Sequence, residues 1–191
     1  MMKQTRPQIP DWLNENWEKW GNKYKENQIK GTKFNWFSHN GETVNHKLLP
    51  TLKIMTANHC SFCDGHPMTR IGNTIEHFRP KSIFPELSYQ WENLFLCCGN
   101  CQKKGDQFNE LLLKPDEIDY EFHRYFDYNF ETGCLRPNPY SDVKDQHRAR
   151  ITLIIYGLNN FDRPDDRRMT FNHYNTSDIP LNERSYRFIF E

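Results

Sequence analysis

Cys60-Ser61-Phe62-Cys63, then Thr74-Ile75-Glu76-His77-Phe78-Arg79-Pro80-Lys81-Ser82, then Asn93-Leu94-Phe95-Leu96-Cys97-Cys98-Gly99-Asn100-Cys101 are the stretches that decide this chain. Two Cys-x-x-Cys knuckles bracket a Glu-His step. Two residues between cysteines let both sulfurs converge on one ion, and two such knuckles supply four thiolates, each at ~2.3 Å from a tetrahedral Zn2+. Cys60, Cys63, Cys98 and Cys101 are therefore the expected ligands of a closed structural zinc site. Cys97 can replace Cys98 through the spacing Cys97-x-x-x-Cys101, although strand alternation more simply buries it. The gap between the knuckles is longer than in a compact zinc ribbon, so the clip holds an insertion that carries Glu76 and His77. His59 and His66 flank the first knuckle and could substitute as ligands, although they more simply read as surface histidines. Cys134 stands alone and reads as a core thiol.

Outward from the clip, residues 74–78 predict a short strand, residues 82–91 with Pro85 a loop, and residues 93–97 a second strand. A helix is expected from Asn100 toward Leu112, bent around Gly105. Before this core, residues 1–56 predict helical support. Leu13, Trp17, Trp20 and Tyr24 follow helical spacing behind a cap at Asp11. Val44, Leu48, Leu52 and Met55 repeat the pattern, with Pro50 expected to kink or divide the helix. The aromatic stripe reads as a core face. After the core of residues 57–113, residues 114–191 predict further support. Residues 125–129 and 134–136 pair across the turn Glu131-Thr132-Gly133. Val143, His147, Ile151, Ile154 and Leu158 make one apolar helical face, capped by Ser141 or Asp142 and ended by Gly157 or Asn159. Beyond Asn160, Arg163, Arg167 and Arg168 alternate with Asp162, Asp165 and Asp166, which predicts a salt-bridged surface or a protein contact. No linker divides these zones, so one compact α+β domain is expected.

Composition bounds the function classes. A chain of 191 residues with 15% aromatic content can bury a real core. Lys plus Arg equals Asp plus Glu at 25 each, so the net charge is zero. That excludes a strongly basic, autonomous duplex binder and asks for a local basic patch or a partner. No apolar run has membrane length. The start, Met1-Met2-Lys3-Gln4-Thr5-Arg6-Pro7, lacks the apolar stretch of a secretory signal, so a cytoplasmic location is expected. In a reducing compartment six cysteines point to metal rather than disulfides.

The order Cys-x-x-Cys, Glu-His-Phe-x-Pro-Lys-Ser, Trp-x-Asn-Leu (Trp91 to Leu94), Cys-x-x-Cys resembles the HNH endonucleases. In detail it is similar to one branch, the HNH proteins of retron-associated and Septu-type anti-phage systems, which are encoded beside an ATPase. The segment Ile151 to Asn159 and the following Arg167 share in the resemblance, which reaches from about Trp36 to about Arg168. It implies a zinc-stapled ββα-metal (HNH) core embedded in a mainly helical domain. It implies that His77 is a general base, that Glu76 ligates a catalytic Mg2+ or Mn2+, and that Asn93 fixes the loop and orients His77. These roles suit the groups: imidazole titrates near neutrality, and a carboxylate oxygen suits a hard cation. Neighbouring strand residues point to opposite sides, so Glu76 and His77 share one site only through a twist or at the strand end. The family places Asn or His just after the last cysteine as second metal ligand. Here that position is Gln102, with Asn100 the alternative.

Arg70, Arg79, Lys81, Lys103 and Lys104 lie near this motif and are candidates for phosphate contact. The expectation is a metal-dependent nuclease cutting DNA or RNA in bacterial defence. Its expected partners are an ATPase and, in the retron branch, an RNA–DNA component, with no membrane partner. The competing expectation is a catalytically degenerate, zinc-stabilised module that binds nucleic acid or protein. A toxin-like RNase is a third.

Overall fold

A computed structural model describes residues 1–68 and 72–190. The N-terminal zone is helical, as its periodicity predicts. Helix α1 (Asp11–Asn14) and helix α2 (Trp17–Ile29) are separate. Asp11 is the first helical residue rather than the cap, with Pro10 before it. A two-stranded ribbon, β1 (Ser38–His39) and β2 (Glu42–Thr43), leads into α3 (Val44–Thr56). Val44, Leu48, Leu52 and Thr56 form the buried face of α3. The expected break at Pro50 does not occur; the helix continues through it and stops at Ala57, whose φ of 50° is left-handed.

The centre is the antiparallel pair β3 (Thr74–His77) and β4 (Leu94–Cys97), with Glu76 opposite Phe95 and His77 opposite Leu94. All four β4 residues are buried, so this strand is covered on both faces and carries an unbroken apolar run. Phe62 of the first knuckle lies between Phe95 and Tyr156, with ring centroids at 5.5 and 3.9 Å. The helix expected after the second knuckle is reduced to a 3-10 turn at Cys101–Lys104. Gly105 ends it at φ 57° and ψ −127°, outside helical space. The strand pair is therefore followed by a single turn and not by the α-helix that a ββα unit would need.

The C-terminal zone contains α4 (Phe122–Tyr125) and the expected hairpin, β5 (Phe126–Tyr128) with β6 (Leu135–Pro137). The Asn129 side-chain oxygen accepts the amides of Glu131 and Thr132 across the turn. Helix α5 (Val143–Ile155) starts at Asp142, whose carboxylate accepts the Asp145 amide, and ends before Gly157 at φ 55°. Its buried face differs from the expected one. Asp145, Ala149 and Thr152 point inward, while Val143 and Ile154 are 84% and 68% exposed. Polar bonds set that rotation: Asp145 pairs with Arg124 at 2.6 Å, and the Thr152 hydroxyl accepts the Leu113 amide at 3.1 Å. Helix α6 (Arg163–Asn172) divides the tail: Arg168 pairs with Asp165 at 2.9 Å on the expected salt-bridged surface, whereas Arg163 and Arg167 are buried. No helix is long and apolar enough to cross a membrane among the described residues.

Candidate functional site

The two knuckles meet. The sulfurs of Cys60, Cys63, Cys98 and Cys101 lie within 4.8 Å of one another, and all four residues are buried. The Cys63–Cys98 sulfur separation is 3.7 Å, close to the ~3.8 Å edge of a tetrahedron with 2.3 Å arms. The donor set and its spacing fit one zinc ion. Cys97 falls outside the cluster and directs its thiol to the Cys98 carbonyl. His59 is buried between the carbonyls of Ala57 and Arg184 and stacked on His66, so it is neither a ligand nor a surface residue.

Local structure explains the convergence. Ala57, Asn58 and Asp64 all take left-handed conformations around the first knuckle. The Asp64 carboxylate, 1% exposed, is gripped by Arg187 at 2.6 Å, which ties the knuckle to the C-terminal segment. Backbone amides of Cys98 and Cys101 point at the sulfurs of Cys60 and Cys98. Arg163 supplies a charge that sequence reasoning missed. One guanidinium nitrogen lies 3.1 Å from the Cys101 sulfur, and the other donates to the carbonyls of Tyr156 and Gly157. Burial works against the Arg163 charge, but the four cysteines outweigh it and its pKa rises. Nothing in the spacing of the motif points to an arginine so far along the chain.

Glu76 and His77 leave β3 toward different partners. Glu76 is 2% exposed. One carboxylate oxygen accepts Lys104 Nζ at 2.8 Å and the other accepts Gln102 Nε2 at 2.7 Å. The Gln102 amide oxygen accepts the Thr74 hydroxyl. Burial pushes the Glu76 carboxyl up to about 7, against the pull of Lys104. Gln102 and Glu76, expected to share a metal ion, are joined here by a direct hydrogen bond from the Gln102 NH2. An amide rotation would present the oxygen instead, since only the hydrogen-bond network distinguishes the two ends.

His77 packs beneath residues that the motif did not include. Trp36 stacks on its ring at 5.3 Å and Phe34 meets it edge-on at 5.4 Å. Its Nε2 lies 2.9 Å from the Ser88 carbonyl. A carbonyl only accepts, so Nε2 carries the proton and the lone pair is left on Nδ1. Burial, helped by Lys81, pushes the His77 pKa down to about 3, so the imidazole is neutral. Asn93 bonds the loop that carries Ser88. Its side-chain oxygen accepts the Arg79 amide at 2.7 Å, and its nitrogen donates to the carbonyls of Arg79 and Leu87 at 3.0 Å.

The basic residues separate. Lys81 is half-buried over Phe34 at 5.1 Å. Arg79 pairs with Glu110 at 2.8 Å, and Lys103 is exposed over Phe161. Lys104, expected on the phosphate side, is instead buried against Glu76 because the 3-10 turn directs it inward. Asn100 is exposed and lines a cavity beside the cysteines together with Arg163. Arg70 lies outside the described residues.

These features define an α+β protein in which four buried cysteines could hold a metal ion and a buried carboxylate and a neutral imidazole stand at the end of β3. No family model matches the chain. The chain is similar to the Septu protein PtuB of Bacillus thuringiensis, at 30% identity over 139 residues, covering 66% of this chain and 48% of that protein. The chain thus spans about half the length of the curated relative it matches.

Proposed function

We propose that the chain is a zinc-stapled HNH nuclease of a Septu-type anti-phage system, hydrolysing phosphodiester bonds of DNA or RNA with an ATPase partner. The observation that carries this is the placement of His77, held through Nε2 by the Ser88 carbonyl on a loop bonded by Asn93, which leaves the Nδ1 lone pair as the proton acceptor; the burial that weakens this base is relieved only when the Trp36 and Phe34 rings move aside. The similarity to the Septu protein supports the setting. Net charge zero fits a nuclease that relies on its partner or on a local patch for grip.

Glu76 and a rotated Gln102 would hold a Mg2+ or Mn2+ ion, which when bound neutralises charge on the scissile phosphate and leaving oxygen. Both groups suit a hard, largely hydrated cation, provided that Lys104 gives up the carboxylate. His77 is the last residue of β3. A phosphate beyond that strand end would be within reach of both Glu76 and His77 once the Trp36 and Phe34 rings move aside. Lys81, beside Phe34, and the exposed Lys103 are the basic residues best placed to hold phosphates, with Arg79 joining if Glu110 releases it.

The test is cleavage of plasmid, single-stranded DNA and tRNA by the chain with and without its ATPase partner, across Mg2+ and Mn2+. His77→Ala is expected to lower cleavage ~10²–10⁴-fold while a cooperative thermal transition, shifted down by the lost packing, shows that the fold persists. Retained cleavage would sink the general-base role. A second function is favoured by one observation, the Lys104 ammonium on Glu76: a non-catalytic zinc module that binds nucleic acid or protein. Binding without cleavage under every metal, partner present, would select it.

A further inference from the structure

Three oxygens converge on one cationic atom in the core. Lys104 Nζ lies 2.8 Å from Glu76 Oε1, 3.3 Å from the His77 carbonyl oxygen and 3.4 Å from the Gly105 carbonyl oxygen. Its side chain is 0% exposed and that of Glu76 3%. The neighbouring Lys103 is exposed, as lysines ordinarily are. Burying an ammonium is costly unless a carboxylate and further acceptors surround it. Here they do, and two of them belong to the Glu76-His77 step itself.

We propose that Lys104 is a tethered cation which competes with the divalent ion for Glu76, so that the ion binds only when the ammonium withdraws. This rests on Glu76 being a metal ligand, as given under Proposed function. The charge balance requires the competition. One carboxylate neutralises one ammonium, and a divalent ion placed on the same oxygens would stand a few ångströms from a like charge with little water between them. The carboxylate is therefore closed to a second cation by the chain's own ammonium. Its affinity for divalent ions is set by how readily Lys104 leaves.

The experiment uses the full, zinc-loaded chain and Mn2+ alone as probe. Mn2+ affinity is measured by calorimetry, and thermal melting is followed with and without Mn2+, for the wild type, Lys104→Met and Glu76→Gln. Lys104→Met is expected to bind Mn2+ ~10-fold or more tightly than wild type. It should melt lower than wild type without Mn2+ and recover when Mn2+ is added. Equal or weaker binding by Lys104→Met overturns the proposal, as does a lost melting temperature that Mn2+ does not restore. Lys104→Gln, which still hydrogen-bonds the carboxylate, replaces the methionine variant if that one does not fold, and the same gain is required of it. If Glu76→Gln binds Mn2+ as the wild type does, or if no form binds it, Glu76 is not a metal ligand. The assignment under Proposed function then fails, and this inference with it. Tight binding that depends on Glu76 but is indifferent to Lys104 sinks the inference alone.

Discussion

Asn93 ties down the loop that holds His77. Its amide makes three bonds to the backbone around a loop built from turns, among them 3-10 turns at Pro85–Leu87 and Trp91–Asn93. Asn93→Ala leaves those buried groups unpaired, and we expect a loss of about 2–3 kcal/mol in urea denaturation. Cleavage should fall too, because the Ser88 carbonyl no longer holds the Nε2 proton in place. An unchanged unfolding midpoint would show that the loop is held by something else. Arg163 has the corresponding place at the cysteines. Arg163→Gln keeps some hydrogen bonding to the Tyr156 and Gly157 carbonyls but loses the charge beside the Cys101 sulfur. We expect zinc affinity to drop ~10–100-fold in competition with a chromogenic chelator, as for other partners of metal ligands.

At the scale of elements, helix α2 is pressed onto the loop that carries Ser88. A Cβ on Gly21 would stand 2.1 Å from the Glu86 carbonyl oxygen, a contact that backbone cannot yield without moving. Gly21→Ala is therefore expected to destabilise by about 1–3 kcal/mol despite the better helix propensity of alanine. A rise in melting temperature would contradict the close approach. The strand pair, the loop and the hairpin were legible in the sequence because each is local: alternation, Pro85, and the Thr132-Gly133 turn act over a few residues. The buried face of α5 was not. Its apolar residues suggested Val143 and Ile154, but Asp145 and Thr152 found distant partners in Arg124 and Leu113, and those bonds decided the rotation. The helix after Cys101 also failed to appear, because Gly105 adopts a conformation that no helix contains.

For the whole molecule, the four cysteines join segments far apart in sequence. Cys60 and Cys63 follow α3 and connect through Asp64 and Arg187 to the C-terminal segment, while Cys98 and Cys101 follow β4 and meet α6 through Arg163. Removing zinc should therefore loosen both zones at once. We expect chelation to lower the melting temperature of the entire transition rather than to release one separable part. Acid should do the same. Thiolates take up protons when the ion leaves, so zinc affinity falls as pH falls, and melting with zinc present should approach that of the chelated protein at low pH. Melting that is indifferent to chelator at neutral pH would mean that the core stands without the ion.

The sequence by itself determined the four-cysteine cluster and the strand pair, because knuckle spacing and strand alternation are short-range constraints on which atoms can converge; only the family resemblance pointed to Gln102 beside Glu76. Only the tertiary structure decided that Lys104 occupies the carboxylate, that Trp36 covers the imidazole and that Arg163 faces the thiolates. Each of those contacts neutralises a charge or shields a ring buried by the fold, and no local pattern records which distant side chain will be near enough to do so.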